Sequence, residues 1–224
     1  MEAIILAGGL GTRLRGVVSN VPKPMAEVAG KPFLKYILDD LVKSGFSKVV
    51  LAVGYKKEVI MDYFGNSYKG MDILYSNEDV PLGTGGCIKK AISLIDDEYV
   101  FIINGDTMFK VDYSKMKTNK DVMIACKYLE SFDRYGKVEF DDNRIISFKE
   151  KMPNQTGYIN GGIYLFKKDL FNRFKCDEKF SLEKDFFEKY INDLYIEPYL
   201  SNDYFIDIGV PEDYFKANED FKNE

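Results

Sequence analysis

The sequence of 224 residues predicts an α/β protein with a mostly parallel sheet covered by helices. In the first half, short β-rich runs end in turn residues and alternate with amphipathic segments, which is typical of strands joined by helices. The runs are apolar at consecutive positions, as in strands buried on both faces. No Gly/Ser-rich or Pro-rich linker and no internal repeat divides the chain, so we expect a single domain over residues 1–224.

The first half contains four candidate strands and three candidate helices. The strands are predicted at residues 3–7, 48–54, 71–76 and 99–105. The first helix begins near Pro32, a residue suited to a helix start, and ends at Gly45, with apolar residues recurring on one face between them. Two further helices are predicted in KKEVIMDYFG and GGCIKKAISLI. This alternation favours a Rossmann-like parallel sheet.

From about residue 121 the pattern changes to strands in quick succession with little helix between them. These strands are predicted at residues 121–130, 136–140, 144–150 and 158–166. A helix with a Ser181 cap and a Glu a short step beyond follows, and the chain closes with a strand at 204–209 and a helix at 211–221. We therefore expect extra strands inserted in the second half of the domain.

Charge and hydropathy exclude several classes of protein. The net charge is −5, from 31 basic and 36 acidic residues, and no segment concentrates Lys and Arg with interleaved aromatic residues, so we expect no nucleic-acid partner. The longest uncharged run, residues 152–166, is shorter than the about 20 apolar residues that a membrane span needs. The N-terminus lacks the basic flank and cleavage site of a secretory signal. We expect a cytoplasmic protein that does not enter a membrane.

The residue types restrict the chemistry. The chain has no histidine, which removes Ser-His-Asp and Cys-His catalysis and every histidine-based metal site. Cys87, Cys126 and Cys176 are widely spaced without a CxxC pair, so we expect buried free thiols rather than a disulfide framework or a zinc site. Carboxylates, Lys, Arg, backbone amides and a hard metal ion are left to carry a reaction.

The segment GGLGTR at residues 8–13 follows the first predicted strand, and three interpretations compete for it. A dinucleotide fingerprint requires a third Gly where Leu14 stands and a helix directly after it, whereas the next predicted helix begins only near Pro32. A Walker A loop requires G-x-x-x-x-G-K-[ST], which is absent. On their own, the glycines indicate no more than a turn.

Charged residues near these glycines strengthen a phosphate-binding interpretation. Arg13 lies two residues after Gly11, and Lys23 lies between Pro22 and Pro24, which restrict the backbone on both sides. Backbone N–H groups together with an Arg and a Lys are what a triphosphate requires. The alternative is that Arg13 and Lys23 are ordinary solvated charges on the surface. Because ligands bind at the carboxyl ends of parallel strands, the two interpretations are about equally favoured.

Two acidic residues lie at predicted strand ends. Asp106 belongs to NGD, and Asp207 lies between apolar residues in YFIDIG. A carboxylate at such a position commonly caps a helix or forms a turn, and the alternative is a ligand for Mg²⁺. Two such acids, a candidate phosphate loop and no histidine favour phosphoryl or nucleotidyl transfer, in which positioning and charge neutralisation do most of the work.

Several segments, in this order across nearly the whole chain, resemble the sugar-1-phosphate nucleotidylyltransferases. They are LAGGLGTRL, PKPM, PLGTGG, NGD, FKEKMP, INGGIYLF and FIDIGVPEDY. The resemblance implies the nucleotide-diphospho-sugar transferase fold. It also implies a reaction in which the phosphate of a sugar 1-phosphate attacks the α-phosphorus of a nucleoside triphosphate and pyrophosphate leaves. We expect a nucleotide-binding half, residues 1–120, and a sugar-phosphate-binding half, residues 121–224.

The resemblance also implies roles for single residues. Arg13 would neutralise the β and γ phosphates, and Lys23 would bind the α-phosphate as negative charge builds. Asp106 and Asp207 are similar to the family's Mg²⁺ ligands, so Mg²⁺ is the expected cofactor and Asp106 a catalytic residue. The implied nucleotide-binding residues are Leu6, Ala7, Gly8, Gly9, Gly11, Thr12, Gly83, Thr84 and Gly85.

Four residues are implied for the sugar phosphate. Glu150 would accept hydrogen bonds from sugar hydroxyls, and Lys151 would pair with the phosphate, although Met152 interrupts the family's Glu-Lys-Pro element. Gly136 and Asn160 are similar to sugar-contacting positions of the family. Their alternative interpretations are a turn glycine and a strand-end amide.

Within the family, residues 14–34 and PLGTGG are most similar to the branch that joins a heptose 1-phosphate to GTP for surface-polysaccharide biosynthesis. We therefore expect GTP and a sugar 1-phosphate as partners. The alternatives are a uridylyl- or thymidylyltransferase acting on a hexose 1-phosphate, and a non-catalytic regulatory subunit that binds a nucleotide sugar. The 16 Tyr and 17 Phe residues suit a core, and they leave room for a subunit contact in a homo-oligomer.

Overall fold

The structure is a computed structural model that describes residues 1–9, 14, 16–18 and 21–223. Its strands are β1 Glu2–Leu6, β2 Glu27–Val28, β3 Lys31–Pro32, β4 Lys48–Val53, β5 Ser67–Tyr68, β6 Met71–Asn77, β7 Tyr99–Asn104, β8 Thr107–Phe109, β9 Val122–Phe132, β10 Val138–Asp141, β11 Arg144–Phe148, β12 Gln155–Lys167, β13 Ile196–Ser201 and β14 Phe205–Asp207. Its α-helices are α1 Phe33–Lys43, α2 Lys57–Phe64, α3 Gly83–Ala91 and α4 Pro211–Asp220. A π-helix spans Leu182–Glu188, and 3₁₀-helices span Lys23–Met25, Ile92–Leu94 and Leu170–Arg173.

Eight strands form one sheet in the order β13-β9-β12-β7-β1-β4-β6-β5. Neighbouring strands run parallel in the pairs β13/β9, β7/β1, β1/β4 and β4/β6. The long strand β12 runs antiparallel to both of its neighbours. The predicted α/β class and mostly parallel sheet are confirmed. The second half of the chain adds β9, β12 and β13 to this sheet. The parallel pairs among β1, β4, β6 and β7 arise because α1, α2 and α3 return the chain between successive strands.

Each face of the sheet is covered by its own hydrophobic core. On one face, Ile5 of β1 packs in a cluster with Leu34 and Leu38 of α1. On the other face, the adjacent residue Ile4 packs in a cluster with Ile88 of α3 and Phe186 of the π-helix. Since successive side chains of a strand point to opposite faces, both need apolar residues, which explains the uninterrupted apolar runs in the sequence.

The helix α1 begins at Phe33 with Pro32 at its N-cap, as the sequence predicts. Other elements differ from the sequence prediction. The short strands β2, β3, β5 and β8 were not predicted. The helix after Ser181 is a π-helix, in which Ser181 Oγ accepts a hydrogen bond from Lys184 N at 3.3 Å. The strand β13 was not predicted, and it contains Pro198 at its centre, a residue that is uncommon inside strands. The structure accommodates Pro198 because β13 lies at the edge of the sheet, where a missing N–H is tolerated.

The cysteines and the helices bear on two expectations from composition. Cys87 and Cys126 are buried free thiols, as predicted, whereas Cys176 is free but only half-buried. Burial raises the pKa of the Cys87 and Cys126 thiols to about 12. In the part of the chain that the structure describes, every helix is too short or too polar to cross a membrane.

Replacing Phe166 with Ala is expected to lower the free energy of unfolding by about 3–5 kcal/mol. The Phe166 ring in β12 is 0% exposed and contacts the ring of Phe171 at a centroid distance of 5.0 Å. Equilibrium urea denaturation measures the loss. The matched control is Phe215→Ala on α4, where the side chain is 57% exposed and a change within about 0.5 kcal/mol is expected. Similar losses in both variants would contradict the central position of Phe166.

Candidate active site

The carboxyl ends of four parallel strands lie side by side at one edge of the sheet. Leu6 of β1 is in register with Ala52 of β4 and Asn104 of β7, and Val53 is in register with Asn77 of β6. In α/β sheets, ligands bind outside this edge. Of the residues predicted for the nucleotide, the structure places Leu6, Ala7, Gly8 and Gly9 here, whereas Gly11, Thr12 and the predicted catalytic Arg13 lie outside the described residues.

Glu78 was not predicted, yet its carboxylate contacts the first glycine segment. A Cβ added at Gly8 would lie 3.0 Å from Glu78 Oε1 and 3.3 Å from the backbone N of Gly54, so a side chain there would displace the carboxylate. Glu78 Oε2 accepts a hydrogen bond from Leu82 N at 3.0 Å, just before α3. The available signal was its position directly after β6. Glu78 therefore lies between the two glycine segments predicted to bind nucleotide.

The second glycine segment forms the first turn of α3 and packs on the second half of the chain. Gly83 has a φ of +73°, which favours glycine. Gly85 N donates to the carbonyl of Phe180 at 3.0 Å, and Thr84 Oγ1 accepts from Leu182 N at 2.9 Å. These contacts give the segment a packing function. Its predicted contact with a nucleobase stays a prediction.

Lys23, Asp106 and Asp207 meet at this edge, and we call them the lysine–carboxylate cluster. Lys23 Nζ donates to Asp106 Oδ2 and lies 3.4 Å from Asp207 Oδ1. Asp106 follows β7, and the pairing of β14 with β8 sets Asp207 opposite Thr107, the residue after Asp106. The Lys23 side chain is 10% exposed, whereas the Asp106 side chain is 34% exposed and accessible to a ligand. The structure thus joins three residues that the sequence predicted for one site.

The electrostatics of the cluster fit a divalent cation. Burial raises the pKa of the Asp207 carboxyl, and the charge of Asp106 raises it further, while the charge of Lys23 opposes the shift. Two carboxylates and one ammonium leave one excess negative charge, and the carboxylate oxygens are hard donors of the kind that bind a divalent cation. Mg²⁺ is commonly held by one or two carboxylates together with water and substrate phosphates. Among the described residues no group of three or more acidic or cysteine side chains forms a fuller metal site.

A cleft of ≈ 180 Å³ opens beside the cluster. Asp207 lines it, together with the loops after β9 and β11, the middle of β12 and the π-helix. The cleft brings together the residues predicted for the sugar phosphate: Gly136, Glu150, Lys151 and Asn160.

Gly136 is held by backbone packing around β10 and β11, whereas Glu150 is largely exposed. Lys149 N donates to the carbonyl of Lys137 at 2.7 Å, and a Cβ added at Gly136 would lie 2.6 Å from the carbonyl of Lys149. This close approach requires glycine at position 136. Glu150 is 76% exposed, and its Oε1 pairs with Lys184 Nζ of the π-helix at 3.1 Å.

Asn160 lies inside β12, so its interpretation as a strand-end amide is wrong. The pairing of β12 with β9 shifts register between Asn160 and Tyr164, and a bulge carries Gly162 at a φ of +76°. Asn160 Nδ2 donates to Tyr164 Oη at 2.9 Å and to Glu183 Oε1 at 2.8 Å, and its Oδ1 accepts from Gly162 N at 3.0 Å. The bulge therefore aims the Asn160 side chain at the cleft and the π-helix.

Arg134 and Tyr135 also line the cleft and were not predicted. Arg134 Nη2 donates to Tyr135 Oη at 3.2 Å and to Asp213 Oδ2 of α4. Burial and the nearby charge of Asp207 raise the pKa of Tyr135, which stays neutral. The signal in the sequence was the segment YGKVEF, in which only Gly136 was predicted to contact the sugar.

Comparison with known proteins agrees with this arrangement. A profile of the family described as nucleotidyl transferase matches residues 2–224. The chain belongs to the nucleotidyl transferase family, and the family expected from the sequence is confirmed.

Particular relatives are similar over the full length. The chain is 50% identical over 228 residues to a D-glycero-alpha-D-manno-heptose 1-phosphate guanylyltransferase of Aneurinibacillus thermoaerophilus, covering 100% of this chain and 99% of the relative. It is 49% identical over 217 residues to the Campylobacter jejuni protein of the same name, covering 96% and 97%. The crystal structure of HddC from Yersinia pseudotuberculosis complexed with GMP-PN matches with a TM-score of 0.88 at 37% identity, over 99% of each chain. The fold predicted from the resemblance is thereby confirmed.

Asp207→Asn is expected to stabilise the metal-free protein by roughly 0.5–2 kcal/mol, the usual gain when an electrostatically strained site is relieved. A carboxyl whose pKa is raised in the folded state is unfavourable there as a carboxylate at neutral pH. An Asn retains the oxygen that accepts from Gly209 N at 2.8 Å. The measurement is urea denaturation at pH 7 in EDTA, with the exposed Asp72→Asn as a control that stays within about 0.5 kcal/mol. A loss of stability in Asp207→Asn would refute this electrostatic interpretation.

Proposed function

We propose that this chain joins D-glycero-α-D-manno-heptose 1-phosphate to GTP, giving a GDP-sugar and pyrophosphate for surface-polysaccharide biosynthesis. The observation that carries the proposal is the position of the lysine–carboxylate cluster, which lies at the sheet edge where the first glycine segment begins and also borders the cleft. The names of the two relatives at 50% and 49% identity support the choice of sugar and nucleotide. We further propose that residues 1–120 bind the nucleotide and residues 121–224 the sugar phosphate.

The reaction needs no histidine. The phosphate of the sugar has a second pKa near about 6 and is already largely ionised at neutral pH, so it attacks without a general base. Lys23 Nζ binds the α-phosphate and stabilises the negative charge that increases during attack. Arg13 neutralises the β and γ phosphates of the leaving pyrophosphate. The two carboxylates hold the Lys23 ammonium at the edge of the cleft before substrate enters.

Asp106 and Asp207 are the residues that would hold Mg²⁺. When bound, the ion neutralises and orients phosphate oxygens. The partial exposure of Asp106 leaves its carboxylate accessible to a ligand. Mg²⁺ dependence therefore belongs to the proposal.

Glu78 supports guanine as the base. Guanine presents N1–H and N2–H donors side by side, and an ionised carboxylate, which only accepts hydrogen bonds, is complementary to both. Uracil and thymine present one N–H flanked by carbonyl oxygens, which a carboxylate repels. The Glu78 carboxylate lies against Gly8 and is fixed by Leu82 N, within the proposed nucleotide site.

Pyrophosphate release tests the proposal directly. The purified protein is incubated with Mg²⁺, each of GTP, UTP and dTTP, and either the heptose 1-phosphate or glucose 1-phosphate. GTP with the heptose 1-phosphate is expected to give the highest kcat/KM. Preference for UTP or dTTP with glucose 1-phosphate would favour the alternative transferase, and no release with any pair would favour the non-catalytic subunit. Asp106→Asn serves as the site control and is expected to lower kcat by at least about 100-fold; unchanged turnover would reject its assigned role.

Glu78→Gln is expected to lower kcat/KM for GTP by about 10–100-fold, because the amide presents an N–H to the guanine donors. The kcat/KM for UTP should change much less. The ratio of kcat/KM for GTP to kcat/KM for UTP therefore measures how strongly the enzyme selects the base. The matched control is Glu98→Gln, a surface glutamate that is 74% exposed, for which both values stay unchanged. If Glu78→Gln keeps the wild-type preference for GTP, Glu78 does not read the base.

A further inference from the structure

The π-helix Leu182–Glu188 contacts two of the residues predicted for the sugar, although the proposed function gives it no task. Lys184 pairs with Glu150 at 3.1 Å, and Glu183 accepts from Asn160 at 2.8 Å. Glu183, Lys184 and Glu188 all line the cleft. Short π-helical turns often occur at functional sites, because the altered helix register re-aims side chains.

Asn160 has little capacity left for a sugar. Its two amide hydrogens are donated to Tyr164 Oη and Glu183 Oε1, and its carbonyl oxygen accepts from Gly162 N. An asparagine has only two hydrogens to donate. Asn160 is therefore positioned to hold Glu183 rather than to donate to a substrate hydroxyl.

The Tyr164 contact fixes Asn160 to the core. Tyr164 in β12 is 2% exposed, and desolvation raises the pKa of its hydroxyl well above the ordinary value, so the group stays neutral. A chain of hydrogen bonds thus runs from the buried Tyr164 through Asn160 to Glu183 at the wall of the cleft.

Glu183 keeps one oxygen for a ligand. Its Oε1 accepts from Asn160, and within the described residues no protein donor bonds to Oε2. The charged groups that face this carboxylate are Lys151 from the loop after β11 and Lys184 and Glu188 from the π-helix itself. A hydroxyl group is a suitable donor for such a carboxylate, and the hydrogen bond between them is charge-assisted.

We propose that Glu183 binds a hydroxyl of the sugar 1-phosphate and determines which sugars are accepted, and that Asn160 is the positioning residue that orients it. This inference rests on the proposed function, since it takes the cleft as the sugar subsite. The substrates selected are sugar 1-phosphates with a free hydroxyl where Glu183 reaches, and analogues that lack this hydroxyl are disfavoured.

The first test is Glu183→Gln, which keeps the shape of the side chain. It replaces one accepting carboxylate oxygen with a donating NH2 group and leaves the other oxygen as an acceptor. KM for the sugar 1-phosphate is expected to rise about 10–100-fold, while KM for GTP and the melting temperature stay at their wild-type values. The matched control, Glu98→Gln, changes none of the three. An unchanged KM for the sugar 1-phosphate overturns the proposal.

A panel of monodeoxy sugar 1-phosphates gives a second readout. At least one analogue should lose about 10-fold or more in kcat/KM with the wild type and much less with Glu183→Gln, because only the wild type has the acceptor for that hydroxyl. Equal discrimination by both proteins against every analogue overturns the assignment.

The positioning part is tested by combining Glu183→Gln with Asn160→Ala. If Asn160 acts through Glu183, KM of the double variant for the sugar equals that of Glu183→Gln within about twofold. If the increase in KM of the double variant is the product of the increases in the two single variants, Asn160 binds the sugar itself. Where Asn160→Ala does not fold, Asn160→Asp replaces it: the like charge beside Glu183 raises KM for the sugar and leaves KM for GTP unchanged.

Failure of this inference is distinguishable from failure of the proposed function. Wild-type turnover with an unaffected Glu183→Gln variant overturns the inference alone. Absence of wild-type turnover overturns the proposed function. In that case, calorimetric binding of the heptose 1-phosphate to the wild type and to Glu183→Gln decides the role of Glu183: weaker binding by the variant supports it, and equal binding overturns it.

Discussion

The ion pairs of Lys23 with Asp106 and Asp207 are the interaction on which the site depends. They join the loop after β1, the turn after β7 and the end of β14, three segments far apart in the sequence. An ammonium that is 10% exposed needs a partner, because an unpaired buried charge is strongly unfavourable. The opposite requirement applies to the carboxylates, which repel each other without a cation. Lys23 therefore holds the two carboxylates together at this edge of the sheet.

The same arrangement relates stability to function. Burial and the charge of Asp106 make the Asp207 carboxylate unfavourable in the folded protein, as its raised pKa indicates. A protein selected only for stability would carry a neutral side chain there. Electrostatic strain of this kind is common where a site awaits a charged ligand, since the ligand restores the balance that the protein alone lacks. The hydrogen bonds of Gly85 with Phe180 and of Thr84 with Leu182 join the start of α3 to the start of the π-helix, which forms one wall of the cleft.

The sequence predicted the sheet well because strands buried on both faces are apolar without interruption, as in β4 and β7. It also predicted that Asp106 and Asp207, at strand ends, and Lys23, on the loop after the first strand, belong to one site, and the family resemblance implied their roles. What it missed depends on tertiary contacts. The strand β13 contains Pro198, which is uncommon in strands, and only its place at the edge of the sheet makes it acceptable there. Hydrophobic periodicity does not distinguish a π-helix from an α-helix. Glu183 looked like a partner of the Ser181 cap, whereas Asp185 accepts from Ser181 N at 2.7 Å and leaves Glu183 free for the cleft.

The charges around the cleft favour different residues for a phosphate and for a hydroxyl group. Most of the cations in the cleft wall already have carboxylate partners: Lys149 pairs with Glu139, Lys184 with Glu150, and Arg134 with Asp213. Lys151 differs from them, because within the described segments its Nζ makes no ion pair or hydrogen bond, although its charge acts on Glu183. A phosphate entering the cleft would compete with a carboxylate at every cation except Lys151. This supports the sequence prediction that Lys151 pairs with the sugar phosphate, and it agrees with the proposal that Glu183 accepts from a sugar hydroxyl.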